Sequence, residues 1–324
     1  MITRRAALAL SASLVLPGPL RAPPRAQEVG PLRVIIPQPP GGATDILARL
    51  LQEPLGRELG RPVVIENRPG ANGIVAINAL RQSRADGSAV LLGGVSIFAF
   101  NPVLYPSLPY DPWRDFSWIA PIADTPFVIV AGRRSGITSM AQLVERARAQ
   151  PERITFGSAG IGNSTHLAME MVADRAGIRM THVPFAGSAP ALTSVIAGDT
   201  DSMLNPLGST IPAIQSGQVL ALATLGAERS PALPRVPTLR ETGLADVTMP
   251  GWYAFVGPAG MATPMIERIN AATRAVVDSP TITQRLRDVV LEPISGTAQS
   301  IQDRARAEST EMAAFIRRRG IRVE

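Results

Sequence analysis

The chain has 324 residues, of which 45% are hydrophobic and 18% charged, a composition that predicts a soluble globular protein and excludes a disordered one. The absence of cysteine excludes disulfides, thiolate metal sites and thiol nucleophiles. The formal charge is +6 and every basic residue is an arginine, but four arginines lie in the first 26 residues and no basic patch with interleaved aromatic residues follows, so we predict no nucleic-acid binding.

The first 26 residues have the features of a secretory signal peptide. Arg4 and Arg5 give a basic start, and the apolar run over residues 6–16 is too short to span a bilayer. Proline and small residues follow, and we place the cleavage near Ala26. The paired arginines leave open whether export uses the general or the twin-arginine route. The sequence therefore predicts an exported, periplasmic protein.

After this segment the chain alternates β-branched runs with amphipathic stretches. Strands are predicted over residues 32–37, 62–67 and 88–94, and helices over residues 41–59 and 73–83 separate them. This alternation of strands and helices predicts a parallel sheet with helices on both faces.

A proline-rich passage over residues 101–113 interrupts the alternation, and a strand over residues 127–132 restarts it. Helices fill the segment from Pro264 to Arg319. The predicted fold class is α/β, with two lobes of which the second is inserted into the first. The predicted boundaries are residues 31–126 and 226–324 for the first lobe and residues 127–225 for the second.

Two junctions between a strand and a helix are rich in glycine: VIIPQPPGGATD at residues 34–45 and ITFGSAGIGNSTH at residues 154–166. In open α/β sheets ligands bind beyond the carboxyl ends of the strands. A helix start offers unpaired N–H groups and a partial positive charge, which favour an anion. Two such junctions on different lobes would hold one anion between them. Ordinary tight turns with helix caps would also fit, the candidate caps being Thr44, Asp45, Asn163 and Ser164.

The second junction does not match the known phosphate or nucleophile motifs. A P-loop requires a lysine, which the chain lacks, and GSAGIG has its glycines in the wrong order for a dinucleotide fingerprint. Ser158 directly follows Gly157, unlike the serine of G-x-S-x-G, and His166 falls in the first turn of a helix. The two histidines, His166 and His182, make no recognisable metal site. We predict no cofactor and no metal; an exported hydrolase using Ser158 and His166 is the enzyme alternative.

A family resemblance runs from about Pro31 to the C-terminus. The segments that carry it are RVIIPQPPGGATDILARLL, GRPVVIENRPGANG, DGSAVLLGG, NPVLYPSLPYDPWRDF, FGSAGIGNSTHLAMEM, HVPFAGSAPALTSVIAGDTDSM and ERSPALPRVPTLRETGL. In these segments the chain resembles the Bug family of extracytoplasmic substrate-binding receptors, which serve tripartite tricarboxylate transporters. The resemblance implies a type II periplasmic-binding-protein fold, in which two α/β lobes close on a ligand cleft.

The resemblance also implies where the ligand binds: its carboxylate would be held largely by backbone groups of the two junctions. On the first lobe the implied ligand-binding residues are Gly41, Gly42, Asp45 and Ser96. On the second lobe they are Ser158, Ala159, Gly160, Asn163, Ser164, His166, Gly187, Ser188 and Asn205.

The chain departs from the family pattern around the distal side of this cleft. Gly94 and Val95 stand where a serine or threonine pair is usual. Ala186 stands where lysine is common, and Asn205 where aspartate is common. We therefore expect a less polar cleft, which favours a monocarboxylate or an aromatic or apolar acid over citrate.

The resemblance implies a binding protein and not an enzyme. The expected partners are a small organic acid, captured by lobe closure, and membrane transporter subunits that bind transiently. We expect a monomer. A periplasmic sensor or adaptor, with the same lobes but a signalling partner, is the alternative that the sequence leaves open.

Overall fold

The computed structural model describes residues 30–245 and 247–323, so the predicted signal peptide lies outside the described residues. The described strands are β1 (Leu32–Ile36), β2 (Val63–Asn67), β3 (Ala89–Gly94), β4 (Phe116–Asp124), β5 (Phe127–Gly132), β6 (Thr155–Ser158), β7 (Thr181–Pro184), β8 (Ser202–Pro206), β9 (Val219–Thr224), β10 (Trp252–Pro258) and β11 (Glu292–Pro293). The described α-helices are α1 (Ala43–Leu59), α2 (Ile74–Arg81), α3 (Asn101–Leu104), α4 (Met140–Ala149), α5 (Ser164–Ala176), α6 (Ser188–Ala197), α7 (Leu207–Gln215), α8 (Thr263–Val277), α9 (Pro280–Asp288) and α10 (Ala298–Arg319). Across this part of the chain, no helix is both long and apolar enough to cross a membrane.

The strands form two separate sheets. The first has the order β11–β4–β10–β3–β1–β2, and β1 runs parallel to β2 and β3. The second has the order β7–β6–β8–β5–β9, and β6 runs parallel to β7 and β8. Helices connect the parallel strands, as a parallel pairing requires. The predicted α/β fold with two lobes is confirmed.

The predicted parallel pairing is confirmed for β1, β2 and β3, but the first sheet as a whole is mixed. In that sheet β10 runs antiparallel to both β3 and β4. In the second sheet β5 likewise runs antiparallel to β8 and β9. Both strands are the first that the chain forms after it passes from one sheet to the other. A parallel pairing needs a crossover connection within its own sheet, and neither strand is reached by one.

Two chain segments link the sheets and lie side by side. Thr125 and Pro126 connect β4 to β5, and residues 225–251 connect β9 to β10. The Thr125 N–H donates a hydrogen bond to the Gly251 carbonyl oxygen at 2.8 Å. The two links therefore lie together at Thr125 and Gly251, although the exact lobe boundaries stay a prediction.

Strand β5 is buried on both faces. Val128 and Val130 belong to a core cluster with residues of α6, β8 and α7, whereas Ile129 and Ala131 belong to the cluster on the other face. Alternate residues of a strand point to opposite faces, so an apolar run without polar interruptions is what a central strand of this kind requires.

The segment after β3 forms a single π-helical turn over Ser96–Phe100, which continues into α3. The Tyr110 hydroxyl fixes this turn, because it donates to the Ile97 carbonyl oxygen at 2.6 Å and accepts from the Asn101 amide at 2.8 Å. π-helical turns are rare and occur often at functional sites. Here the turn places Ser96 at the edge of the space between the sheets.

Gly132, at the end of β5, allows α6 to pack closely on the second sheet. A Cβ atom at this position would lie 2.4 Å from the Val195 carbonyl oxygen. We expect Gly132→Ala to lower the free energy of unfolding by about 1–3 kcal/mol, as overpacking does. Urea unfolding measures the change, and Gly30→Ala is the control because no atom lies within 4 Å of its added Cβ. Equal midpoints for the two variants would contradict this account of the packing.

Candidate functional site

A cavity of about 280 Å³ lies between the two sheets. Loops that follow β1, β2 and β3 line it from the first lobe, and loops that follow β6 and β7 line it from the second. The two linking segments contribute Thr125 and Gly251, and Trp252 and Tyr253 at the start of β10 continue this wall. The cavity therefore lies where loops leave the carboxyl ends of parallel strands, which is the usual ligand position in α/β folds.

The cavity lining carries no formal charge on its described side chains. It contains no arginine, histidine, aspartate or glutamate, although arginine is plentiful elsewhere in the chain. The polar lining side chains are Gln38, Thr44, Asn72, Ser96, Tyr105, Thr125, Asn163, Ser164, Thr165, Ser188 and Tyr253. The larger apolar ones are Ile97, Phe127, Ile161, Phe185 and Trp252. An anion in this cavity would meet dipoles and hydroxyl groups instead of a counter-charge.

The predicted ligand-binding residues fall into two groups. Those that line the cavity are Ser96, Ala159, Gly160, Asn163, Ser164, Gly187 and Ser188. Those that do not are Gly41, Gly42, Asp45, Ser158, His166 and Asn205. The second group lies behind the lining or beside it, and several of its members hold the lining loops in place.

Asp45 fixes the loop between β1 and α1. Its carboxylate accepts hydrogen bonds from the Gly41 N–H at 3.0 Å, from Arg49 Nε at 2.9 Å and from the Asn67 amide at 3.0 Å. Burial by itself raises the pKa of this carboxyl group, but these hydrogen bonds outweigh burial and hold its pKa below the usual value. Its charge is thus matched within the protein, so Asp45 supports the loop without facing the cavity.

The loop between β6 and α5 uses its own backbone donors. The Ala159 N–H donates to Thr165 Oγ1 at 2.9 Å, and the Gly162 N–H donates to His166 Nδ1 at 3.0 Å. Asn163 caps α5 by accepting from the Thr165 N–H at 3.1 Å. Hydrogen bonds within the protein therefore stabilise this loop without any contribution from a ligand.

Ser96 reaches the start of α5 from the opposite lobe. Its hydroxyl oxygen accepts a hydrogen bond from the Ser164 N–H at 2.9 Å. Close contacts lie nearby: a Cβ atom at Gly162 would come 2.4 Å from Leu104 Cδ1, and one at Gly187 would come 2.6 Å from Pro39 Cδ. The two lobes thus touch each other around the cavity.

Ser158 pairs with His182 and not with His166. Its hydroxyl lies 2.6 Å from His182 Nε2, and it accepts the Gly160 N–H at 3.2 Å. The serine is fully buried and does not line the cavity, and no carboxylate of a described residue forms a hydrogen bond with His182. A substrate in the cavity cannot reach this hydroxyl, so the geometry does not support the hydrolase alternative.

The two histidines form a stack behind the loop. Their ring centroids are 3.8 Å apart with an angle of 15° between the planes, and Phe156 stacks on His182. Burial lowers the pKa of His166 to about 4. Burial, together with the adjacent His166, lowers the pKa of His182 to about 3, although Glu170 opposes the shift. Both rings are neutral at pH 7, and no cluster of histidine, aspartate and glutamate among the described residues could hold a metal ion.

This stack makes stability depend on pH. An unfolded histidine takes up a proton near pH 6.5, but the folded rings do so only near pH 4 and pH 3. Between these values the unfolded chain binds more protons, so the free energy of unfolding falls as the pH falls. We expect urea unfolding of the wild type to lose about 2 kcal/mol more than His182→Gln does between about pH 7 and pH 4.5. Identical losses would show that folding does not lower the pKa of His182.

The sequence prediction missed the loop between β2 and α2. Gly70, Ala71, Asn72 and Gly73 all line the cavity, and all have positive φ angles. Alanine and asparagine rarely adopt such angles, and strained backbone of this kind concentrates at functional sites. The glycines of RPGANG are a turn signal that could have indicated this loop.

Trp252 and Tyr253 were left out of the predicted ligand-binding residues, because core packing is the more common role of such aromatic residues than a place in a cleft wall. Both are buried, and both line the cavity. Burial raises the pKa of the Tyr253 hydroxyl, although hydrogen bonds with Thr125 and Thr44 oppose the shift. The Trp252 indole N–H donates to Glu308 of α10 at 2.5 Å. The start of β10 therefore contributes an aromatic wall to the cavity.

Known proteins share this architecture and much of the sequence. Residues 47–321 match the family described as tripartite tricarboxylate transporter family receptor. Protein BugT of Bordetella pertussis is 30% identical over 91% of this chain and 90% of its own. The structure of R. palustris Rpa4515 with adipate is 30% identical, with a TM-score of 0.88 over 91% of this chain and 99% of that one. The structure of the periplasmic binding protein BugD is 27% identical, with a TM-score of 0.86 over 91% of this chain and 99% of that one.

Proposed function

Because this chain belongs to the tripartite tricarboxylate transporter receptor family, as its resemblance to Bug proteins predicts, we propose that it captures a small organic carboxylate and delivers it to a transporter of that type. The observation that carries the proposal is the cavity between the sheets, which residues of both lobes line. A ligand there contacts both lobes only when they are close together. Its binding therefore favours the closed arrangement, which the membrane subunits would recognise.

The ligand we propose has one carboxylate and an apolar or aromatic body. The lining offers no charged side chain to a second carboxylate, and its volume of about 280 Å³ suits a small molecule. Phe127, Phe185 and Trp252 give the body of the ligand apolar surface. Citrate would bring three carboxylates into a lining that cannot balance them. The adipate in a structure that is 30% identical supports a carboxylate ligand with an apolar chain.

The two-residue link between β4 and β5 supports movement of one lobe against the other. Only Thr125 and Pro126 form the first link, and a hydrogen bond joins this link to the second at Gly251. Hinge motion is concentrated in short connections of this kind. We further propose that the protein acts in the periplasm after removal of residues 1–26, as a monomer without a cofactor or catalytic activity.

A panel of acids tests this function. We expect hexanoate or benzoate to raise the unfolding temperature with increasing concentration, because each would bind only the folded state. The changes in unfolding temperature with adipate, malate and citrate show the effect of further carboxylates on binding. Hexanamide and benzamide are the uncharged controls. Isothermal titration calorimetry then gives the affinities. Tight binding of citrate, without binding of hexanoate or benzoate, would contradict the ligand class; no binding of any acid would contradict the function.

A further inference from the structure

Basic side chains at the end of α10 connect the two lobes outside the cavity. Helix α10 packs on β4 of the first sheet, on α3 and on the π-helical turn, whereas α5 packs on β6 and β8 of the second sheet. Arg319 of α10 lies 2.9 Å from a carboxylate oxygen of Glu170 and 3.4 Å from one of Asp174, both on α5. Arg318 lies 3.0 Å from the other Asp174 oxygen. We call Arg318, Arg319, Glu170 and Asp174 the interlobe ion cluster.

The positions of these residues in their helices favour the contact only in part. Glu170 and Asp174 are four residues apart on α5, so their side chains lie on one face of that helix. The arginines at positions 317–319 lie in the last turn of α10, where a positive charge is favourable in any case. Arg317 shares that turn but forms no salt bridge with any described residue. A favourable place in the helix therefore does not account for the ion pairs that the other two arginines make with α5.

Both helices of the interlobe ion cluster also lead to the cavity. Ser164 at the start of α5 lines the cavity, and Glu170 lies less than two turns further along the same helix. Beyond the end of α10, Val323 lines the cavity as well, and its N–H donates to the Leu104 carbonyl oxygen at 3.2 Å. A separation of α5 from α10 would therefore move two parts of the cavity wall apart.

The surroundings of the interlobe ion cluster make its ion pairs stronger than isolated ones. A single exposed ion pair strengthens an interaction only about 1.4- to 5-fold. Here two arginines share Asp174, and the side chains of Arg319 and Glu170 are only 33% and 17% exposed. Salt screens partly buried pairs less than exposed ones, and networks of charges contribute more than single pairs. These contacts exist only while α5 and α10 lie close together.

We propose that the interlobe ion cluster acts as a clasp, which holds the lobes closed around a bound ligand and so raises the affinity of the protein for that ligand. This proposal rests on the proposed function, because it requires capture by lobe closure. The ion pairs form in the closed arrangement and break when the lobes separate. They therefore shift the equilibrium toward the closed arrangement, to which the ligand binds. Residues that do not touch the ligand thus contribute to its binding.

The test uses the acid that binds the wild type most tightly in the panel of hexanoate, benzoate, adipate, malate and citrate. Calorimetry at about 20 mM NaCl, where screening is weak, should give an affinity at least about fivefold weaker for the double variant Arg318→Gln, Arg319→Gln. Arg317→Gln is the matched control, since it removes a charge from the same turn without breaking a described ion pair, and it should bind as the wild type does. All three arginines are exposed, so urea unfolding without acid should show that both variants are folded.

Asp174→Asn distinguishes the clasp from a simple attraction between the arginines and an anionic ligand. If charge attraction alone acted, the removal of a negative charge would strengthen the binding of an acid. Loss of the clasp weakens it instead, and we expect an affinity about twofold to threefold weaker. Adding Asp174→Asn to the double arginine variant should cause little further loss, because the partners of Asp174 are already absent.

Three results would overturn the proposal. The first is wild-type affinity in the double arginine variant, and the second is unchanged or stronger binding in Asp174→Asn. In either case the wild type binds an acid, so the proposed function stands and the clasp alone fails. The third is a wild type that binds none of the acids, in which case the proposed function fails and the clasp fails with it.

Discussion

Oxidation of the double variant Leu104→Cys, Gly162→Cys is expected to slow the release of a bound acid by at least about a hundredfold, because a covalent link would hold the lobes together. A cysteine sulfur takes nearly the place of a leucine Cγ, and Leu104 Cγ lies 3.2 Å from the Cβ position of residue 162. The chain has no other cysteine, so this is the only disulfide that can form within one molecule.

The release rate is measured by loading the reduced variant with the tightest-binding acid of the panel, oxidising it, and diluting it into buffer without acid. Trp252 lines the cavity, so its fluorescence can report the departure of the acid. Dithiothreitol should restore fast release, and the Leu104→Cys single variant should release as the wild type does with or without oxidant. Fast release from the oxidised double variant would show that residues 104 and 162 do not lie on lobes that separate.

The second large effect is expected for Gly42→Val, which should reduce the affinity for the acid at least about a hundredfold or abolish binding. The φ and ψ angles of Gly42 are −78° and 166°, which valine adopts readily. The added side chain would occupy the space beside Ser188 Oγ and Gln38 Oε1, which lie 3.3 and 2.8 Å from the new Cβ. It would therefore fill space at the junction where the family resemblance implies that the carboxylate binds, and it would keep the lobes apart.

Stability should change little in this variant, because replacing glycine at a helix N-cap by an apolar residue costs about 1 kcal/mol. Ala262→Val is the matched control: Ala262 is the N-cap of α8 and is exposed, away from the cavity. It should bind as the wild type does. An affinity within about threefold of wild type in Gly42→Val would place the anion elsewhere in the cavity.

Local signals in the sequence were sufficient to predict the alternation of strands and helices and the two glycine-rich junctions. A junction such as residues 154–166 is encoded locally: a strand ends, glycines turn the chain, and Asn163 caps the next helix. The same reasoning could not give the direction of β5 and β10. The direction of each strand depends on where the chain crosses from one sheet to the other, and no short segment of the sequence indicates that crossing.

The hydrogen-bond partner of Ser158 could not be predicted from the local sequence either. In sequence His166 is the nearer histidine, but His182 makes the hydrogen bond. The parallel pairing of β6 with β7 sets Phe156 opposite His182 and so brings that histidine beside the end of β6. The Gly70–Gly73 loop, Thr125 and Trp252 likewise reach the cavity only through tertiary packing.

The uncharged lining has a consequence for the empty receptor. A buried counter-charge would be left without its partner each time the ligand departs, and this would oppose release. Dipoles of helix starts and hydroxyl groups leave no such ion behind, and water can solvate them as the lobes separate. The protein can therefore release its ligand without leaving an uncompensated charge in the cavity.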